Sequence, residues 1–299
     1  MTREHTIKPD RLASLSDIHL KDLESIKENK TAVVGKVEKC DTDYNLIVDI
    51  GNSIKVKIPF EELMFTRDNH IKKVSALHMV GKTVQFIVTH LGESILGSRK
   101  QLQTMYLEEL KTRQAGDILE AVVINSQPFG VFVDIGYGLT ALIPTSCLAI
   151  SITNETDTMP KEGETLRVIL KSIIDNKVTV SYKENLGTWL ENITFNEGET
   201  LTGEVKHIGD NGMLIELAPN ISGLAENRED IHLGDTVSVY VKRIMPDKLK
   251  IKLIVLTKSQ HKYSRVYKEK LDKNITHIDK WEYSPLDSSR KIATYFKGV

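Results

Sequence analysis

One pattern constrains this chain more than any other. Five short segments of alternating apolar residues occur in the same order three times. The first segment is Val34-Gly35-Lys36-Val37, then Glu120-Ala121-Val122-Val123, then Thr202-Gly203-Glu204-Val205. The offsets are 86 residues (35 to 121) and 82 residues (121 to 203). The second recurs as DYNLIVDIG, PFGVFVDIG and DNGMLIELA, and the third as IKVKIPFEEL, LTALIPTSCL and NISGLAENRE. The fourth opens on a glycine turn each time, in VGKTVQFIV, EGETLRVIL and LGDTVSVYV. The fifth reads SILGSRK, KVTVSYK and LKIKLIV. A period of two with Gly and Asp/Asn punctuation signals strands, and fixed-order recurrence signals a tandem array.

Five short strands with mixed faces suit a small closed Greek-key barrel of the OB type. A two-sheet sandwich is the alternative, but it usually needs more strands per unit. The expected fold is therefore mainly β: three tandem five-stranded OB-fold barrels joined by short helices, with a partly helical C-terminal tail. The period shifts toward 3.6 between the barrels. Leu102, Met105, Tyr106, Leu107 and Leu110 predict one joining helix, and Leu186, Trp189, Leu190 and Ile193 a second. Trp189 reads as a staple between helix and barrel. The expected divisions are an N-terminal arm or helix (1–28, helical from Ser16 to Glu28), barrel 1 (29–101), a linker helix (102–115), barrel 2 (116–184), a linker helix (185–196), barrel 3 (197–256) and a basic tail (257–299).

The 299 residues suffice for two or three domains. No run approaches the roughly 20 apolar residues of a membrane span, and the polar N-terminus MTREHTIKPDRL lacks a signal-peptide core. The two cysteines, Cys40 and Cys147, lie in different units, so neither a disulfide framework nor cysteine-rich zinc spacing is expected. A reducing cytoplasm is the simplest compartment. The nine histidines are isolated, and no nucleophile–base pair or phosphate-cradling loop stands out. The expectation is a non-enzyme without metal or cofactor. Charge is uneven. From Val241 to Val299 there are 15 Lys/Arg and 6 Asp/Glu, a net of +9; the first 240 residues hold 25 and 35, a net of −10; together they give −1.

Chemistry concentrates in Pro128-Phe129-Gly130-Val131-Phe132-Val133-Asp134-Ile135-Gly136. Phe129 and Phe132 flank a glycine turn, and in a twisted sheet their rings stand where a base could lie. Phe132 also sits at an alternating position that could face the core. An aromatic ring stacks on any base with little sequence preference, at roughly 1–3 kcal/mol each. Nearby cations track phosphates and release counterions.

With these residues in view, the chain from about Thr31 to Leu256 resembles a tandem array of S1 domains, the OB-fold RNA-binding module named after the largest protein of the small ribosomal subunit. The resemblance rests on the GxV first strand, the FGxFV second strand and a late Asp followed by a basic residue. It is strongest in the middle unit. The whole looks like a shortened bacterial homologue of that ribosomal protein. The resemblance implies binding of single-stranded RNA, mRNA above all, in translation or its regulation, with the small ribosomal subunit as a possible partner and no membrane.

It also implies site residues. In the middle unit these are Phe129 and Phe132, with Asp175 and Lys177 at the last hairpin; the usual His position holds Pro144. In the first unit the ring positions hold Tyr44 and Ile47, with Pro59 at the His position. In the third they hold Asn211 and Leu214, with Glu226 at the His position. The third unit instead keeps a basic last hairpin of Lys242, Arg243, Lys248, Lys250 and Lys252. Plainer readings stand beside these. Tyr44 could cover a barrel end, Asp175 could shape the DNK turn, and the lysines could be a solvated face. Degenerate barrels on an acidic body also fit a protein-interaction adaptor docking on the ribosome or an RNA-processing complex.

The tail leaves the repeat. SQHKYSRVYKEKLDKN reads as a basic helix, Ser284-Pro285 as a turn and SRKIATYF as a short final helix. Its interleaved aromatics and cations suit either RNA contact or docking on the third barrel.

Overall fold

The computed structural model describes residues 12–13, 19–66, 71–150, 160–218, 220–259, 263 and 269–296. Alternation becomes strand wherever inward β-branched and aliphatic residues can be buried and outward ones left exposed. The first unit contains β1 (Leu12–Ala13), β2 (Ala32–Cys40), β3 (Leu46–Asp49), β4 (Lys55–Ile58), β5 (Thr83–His90) and β6 (Ile95–Ser98). β2 pairs with both β3 and β5 and closes the barrel, and β1 adds in parallel to β2. The second barrel is β7 (Ile118–Gln127), β8 (Gly130–Asp134), β9 (Thr140–Pro144), β10 (Thr165–Ile174) and β11 (Lys177–Ser181). The third is β12 (Thr200–Gly209), β13 (Gly212–Ala218), β14 (Ile221–Ala225), β15 (Thr236–Met245) and β16 (Lys250–Lys258).

All three barrels share one wiring, with third and fifth strands parallel and the other pairs antiparallel. The first strand of each breaks register at the same repeat position: between Val37 and Lys39, Val123 and Asn125, and Val205 and His207. An irregularity there bends the strand so that it can pair on both sides of a closed sheet. Each barrel has its own apolar core.

The connecting elements differ from expectation in detail. At the N-terminal end, a 3-10 turn at Leu20–Asp22 leads into α1 (Leu23–Glu28), and residues 16–18 lie outside the described residues. In the first barrel a short α2 (Lys73–Leu77) precedes β5. The first linker is α3 (Arg99–Lys111), which starts directly from β6 because the Ser98 hydroxyl caps it by accepting from the Gln101 amide. Its Leu102 packs with Ala32 and Ile87 of the first barrel, while Tyr106, Leu107 and Leu110 enter the second barrel's core. Each such side chain contributes about 1.5–3 kcal/mol, so α3 joins the two barrels firmly.

The second linker is not one helix over 185–196. A 3-10 turn (Lys183–Leu186) is cut by Gly187, whose φ of +78° cannot continue a helix, and α4 (Trp189–Asn192) restarts from Thr188. Trp189 is buried in the third barrel's core, so its role is packing.

The tail docks. β17 (Lys280–Glu282) pairs with β18 (Ala293–Tyr295), so a strand stands where a final helix was expected. Alternating burial of Trp281 and Tyr283 against the third core outweighs the helical spacing. Half of the predicted basic helix, 260–262 and 264–268, falls outside the described residues, and its described stretch 269–274 is turn and irregular chain, not helix.

A candidate nucleic-acid interface on the central barrel

The β7–β8 hairpin closes through Pro128 and Phe129. Gly130 is required behind that turn, because a Cβ there would lie 2.3 Å from the Ile143 carbonyl oxygen. Phe129 consequently projects at the tip, 57% exposed. Val131 and Val133 point into the core, which turns Phe132 outward and leaves it half-buried. Phe132 lies in a row on the outer sheet face with Asn125 on β7, Leu142 on β9 and Thr179 on β11.

The two rings are 5.8 Å apart between centroids and inclined at 84°. They pack edge to face and do not form a single flat platform. Each ring offers its own plane, so two stacked bases would be splayed by about a right angle. A single strand can adopt that arrangement, and a duplex, whose bases are stacked in parallel, cannot.

Asp175 and Asn176 form the two-residue tip of the β10–β11 hairpin, both left-handed (φ +50° and +60°) and exposed. Asp and Asn tolerate that conformation, so Asp175 has a structural duty in the turn. Lys177, just past the tip, is exposed and borders a cleft of about 800 Å³ that Phe132 also lines. Pro144 pairs with Gly130 across the sheet and supplies no donor.

Tyr44 lies on the first barrel, at a left-handed turn position (φ +65°), part-buried against that core. Two neighbours that local alignment with the second barrel could not reveal stand beside it. The Phe60 ring is 5.9 Å away, and the Lys73 ammonium sits 4.8 Å from the Tyr44 ring centroid. Two lysines on this face are ion-paired: Lys55 with Glu38 and Asp49, and Lys57 with Asp41. The Asn45 side-chain amide, with backbone amides and Lys57 adding to it, holds the Asp41 carboxyl below its ordinary range.

On the third barrel Lys242, Arg243, Lys248, Lys250 and Lys252 are all exposed. Arg243 and Lys252 face each other directly across β15 and β16. Like charges in that position repel. In the third barrel the outer row that carries Phe132 in the second has Leu214 opposite Leu224, flanked by His207 on β12 and Lys252 on β16. The connection from Ala225 to Gly234 carries turns and no helix.

The tail decides which faces remain open. Ile118 donates its amide to Thr276, Ile278 donates to Gly116, and the Arg167 guanidinium donates to the carbonyls of Leu271, Asp272 and Ile275. His277 Nδ1 lies 2.6 Å from Asp117 Oδ1 and Nε2 3.2 Å from Asp279 Oδ1, and these two carboxylates raise the imidazole above its ordinary range. The tail therefore covers the start of β7 and the outer side of β10, leaving the β8–β9–β11 face uncovered by these contacts.

Further along, the Tyr283 hydroxyl donates to the Asn220 carbonyl, and Trp189 donates its amide to Tyr283. Burial pushes the Tyr283 phenol well above its ordinary value. The Ser289 amide reaches the Asp247 carbonyl in the basic hairpin's own turn. Among the described residues no group of three or more His, Cys, Asp or Glu could hold a metal ion, and no helix is long and apolar enough to cross a membrane.

Three like-wired five-stranded barrels, with an outward aromatic pair on the second, define a tandem OB-type barrel protein. The family model described as S1 RNA binding domain matches residues 112–182, the central barrel. The chain is similar to the small ribosomal subunit protein bS1 of Staphylococcus saprophyticus, 30% identical over 147 residues, covering 46% of this chain and 37% of that protein. It is also similar to that of Staphylococcus aureus, 30% identical over 199 residues, covering 62% and 49%. The chain thus spans about half the length, or less, of these curated relatives. A Streptococcus pneumoniae multidomain protein with nucleic acid binding domains aligns over 77% of this chain and 74% of its own, at 15% identity and a TM-score of 0.25, a likeness too weak to carry an argument.

Proposed function

We propose that this chain is a non-enzymatic, cytoplasmic binder of single-stranded RNA, mRNA in particular, acting in translation or its regulation in association with the small ribosomal subunit. The observation that carries the reading is the Phe129–Phe132 pair on the β8–β9–β11 face of the S1-matching barrel, with Lys177 bordering the same surface. Rings on which bases stack, set beside a cation, are what a single strand requires, and they read no base edges. Asp175 contributes by shaping the hairpin that presents Lys177. The third barrel's Lys242, Arg243, Lys248 and Lys250 add phosphate contacts, and Tyr44 with Phe60 adds a ring pair on the first barrel. Tandem attachment raises avidity because later contacts are intramolecular.

The test is a Phe129→Ala/Phe132→Ala double variant titrated with a labelled single-stranded RNA. Loss of two stacking rings weakens binding by about 2–6 kcal/mol. A folded double variant with unchanged affinity refutes the reading. A second reading, protein docking through the degenerate barrels, is favoured by the exposed aliphatic residues Leu224, Ile254 and Leu256 on the third barrel. It predicts RNA binding with almost no salt dependence and retention of a ribosomal partner in pull-down.

A further inference from the structure

The cleft beside Phe132 is not made by the central barrel alone. Its walls are Phe132, Leu142, Asn176, Lys177 and Thr179 from the second barrel and Phe65 from the connection between β4 and α2 of the first. Resting on the RNA reading above, we infer that this cleft is a nucleotide site shared by two barrels, with Phe65 as a third stacking ring supplied from outside the S1-matching segment.

Phe65 is held firmly. Its amide donates to Gln103 Oε1 at 2.6 Å, and Gln103 Nε2 donates to the Tyr137 carbonyl at 3.0 Å. Gln103 is buried on α3. Arg99, one turn earlier on the same helix and also buried, donates from Nε to the Leu63 carbonyl at 3.0 Å. Tyr106, one turn further on, donates its hydroxyl to the Ile135 carbonyl at 2.9 Å, and burial pushes its phenol up to about 12. One helix therefore fixes the 63–65 segment against the second barrel, and the Phe65 ring packs partly on that barrel's core.

The chemistry of the walls selects the occupant. The cleft contains rings from both sides, one cation, an amide and hydroxyls, and no carboxylate lines it. Its volume falls within the roughly 300–1,000 Å³ of small-ligand sites. A base held at Phe65 would be adjacent to one on Phe132, with Lys177 placed for the intervening phosphate. Phe60, of the Tyr44–Phe60 pair, lies only five residues before Phe65, within about 18 Å along the chain. A strand leaving the cleft that way reaches the first barrel's rings.

The experiment uses the full chain and fluorescein-labelled oligouridylates of about 4 and about 12 nucleotides, spanning the site sizes of such barrels. Phe65→Leu keeps the apolar packing and removes the ring, and it should weaken the longer oligomer at least about fivefold and the shorter one less. Phe65→Trp should retain binding and show tryptophan quenching on titration. The two native tryptophans, Trp189 and Trp281, are buried in the third barrel and give a steady background. Wild-type affinity of Phe65→Leu for both oligomers and no quenching in Phe65→Trp overturn the shared site, whether the cleft is empty or takes a peptide. If the Phe129→Ala/Phe132→Ala variant still loses affinity in that case, the RNA reading stands without the shared site. If that variant loses nothing, both fail.

Discussion

Asn220 joins three parts of the molecule, and its substitution tests how the last two barrels are held together. It is 3% exposed, at the entrance to β14. Its side-chain oxygen accepts from the Ile150 amide at 2.6 Å, and its side-chain amide donates to the Lys183 carbonyl at 3.3 Å, both on the second barrel's side. Its own carbonyl accepts from Tyr283 in the tail. Its φ is +67°, which Asn tolerates and Ala does not.

Asn220→Ala removes two hydrogen bonds, about 0.5–1.5 kcal/mol each, and adds about 1 kcal/mol of backbone strain. The sum is about 2–4 kcal/mol. Asn220→Gly loses the bonds without the strain, so it should cost about 1 kcal/mol less than the alanine variant. Urea unfolding followed by tryptophan fluorescence suits the question, because both tryptophans, Trp189 and Trp281, lie in the third core and report that unit alone. With a urea slope of about 1–2 kcal/mol/M, the alanine midpoint falls by roughly 1 M or more. A midpoint within error of wild type for Asn220→Ala, or glycine and alanine variants of equal stability, refutes this account of the junction.

Two other perturbations probe the charges. Lys252→Glu converts the repulsive pair with Arg243 into an attractive one and should stabilise the third barrel by about 0.2–1 kcal/mol. The same change should weaken RNA binding and lower the slope of log affinity against log salt by about 0.7 or more; a destabilised barrel with unaltered RNA affinity contradicts both halves. His277, raised by Asp117 and then Asp279, has a folded pKa above its unfolded value of about 6.5. Its stabilising contribution is therefore complete below about pH 6.5 and disappears as pH rises through the raised folded value. The stability difference between wild type and His277→Gln should be larger at pH 6 than at pH 9, and a flat difference removes the ionic part of the clasp.

The repeat in the sequence carried the barrels because each core is built from near neighbours. Inward Val131 and Val133 and outward Phe132 follow from alternation alone, and the register break recurs at the repeat offset. Phe65, Phe60 and Lys73 were not legible, since each gains meaning from a neighbour on another element and no periodicity marks it. The edge-to-face angle of Phe129 and Phe132 depends on the hairpin's twist, which residue order does not express. The tail was misread for a related reason. Tyr295 and Phe296 fit a helix locally, but pairing with Lys280–Glu282 and burial of Phe296 beside Ala115 and Ile169 favour a strand. Gly187 shows the converse case, a single residue whose left-handed backbone ends what the apolar spacing would have extended.

The His277–Asp117 contact spans 160 residues of chain. At a synthesis rate of about 5–20 residues per second, the edge of β7 waits about 8–32 s for the segment that covers it. During that interval the nascent central barrel has two open flanks, the ring-bearing one and the one later sealed, and synthesis of the segment from Leu271 to Ile278 covers the second.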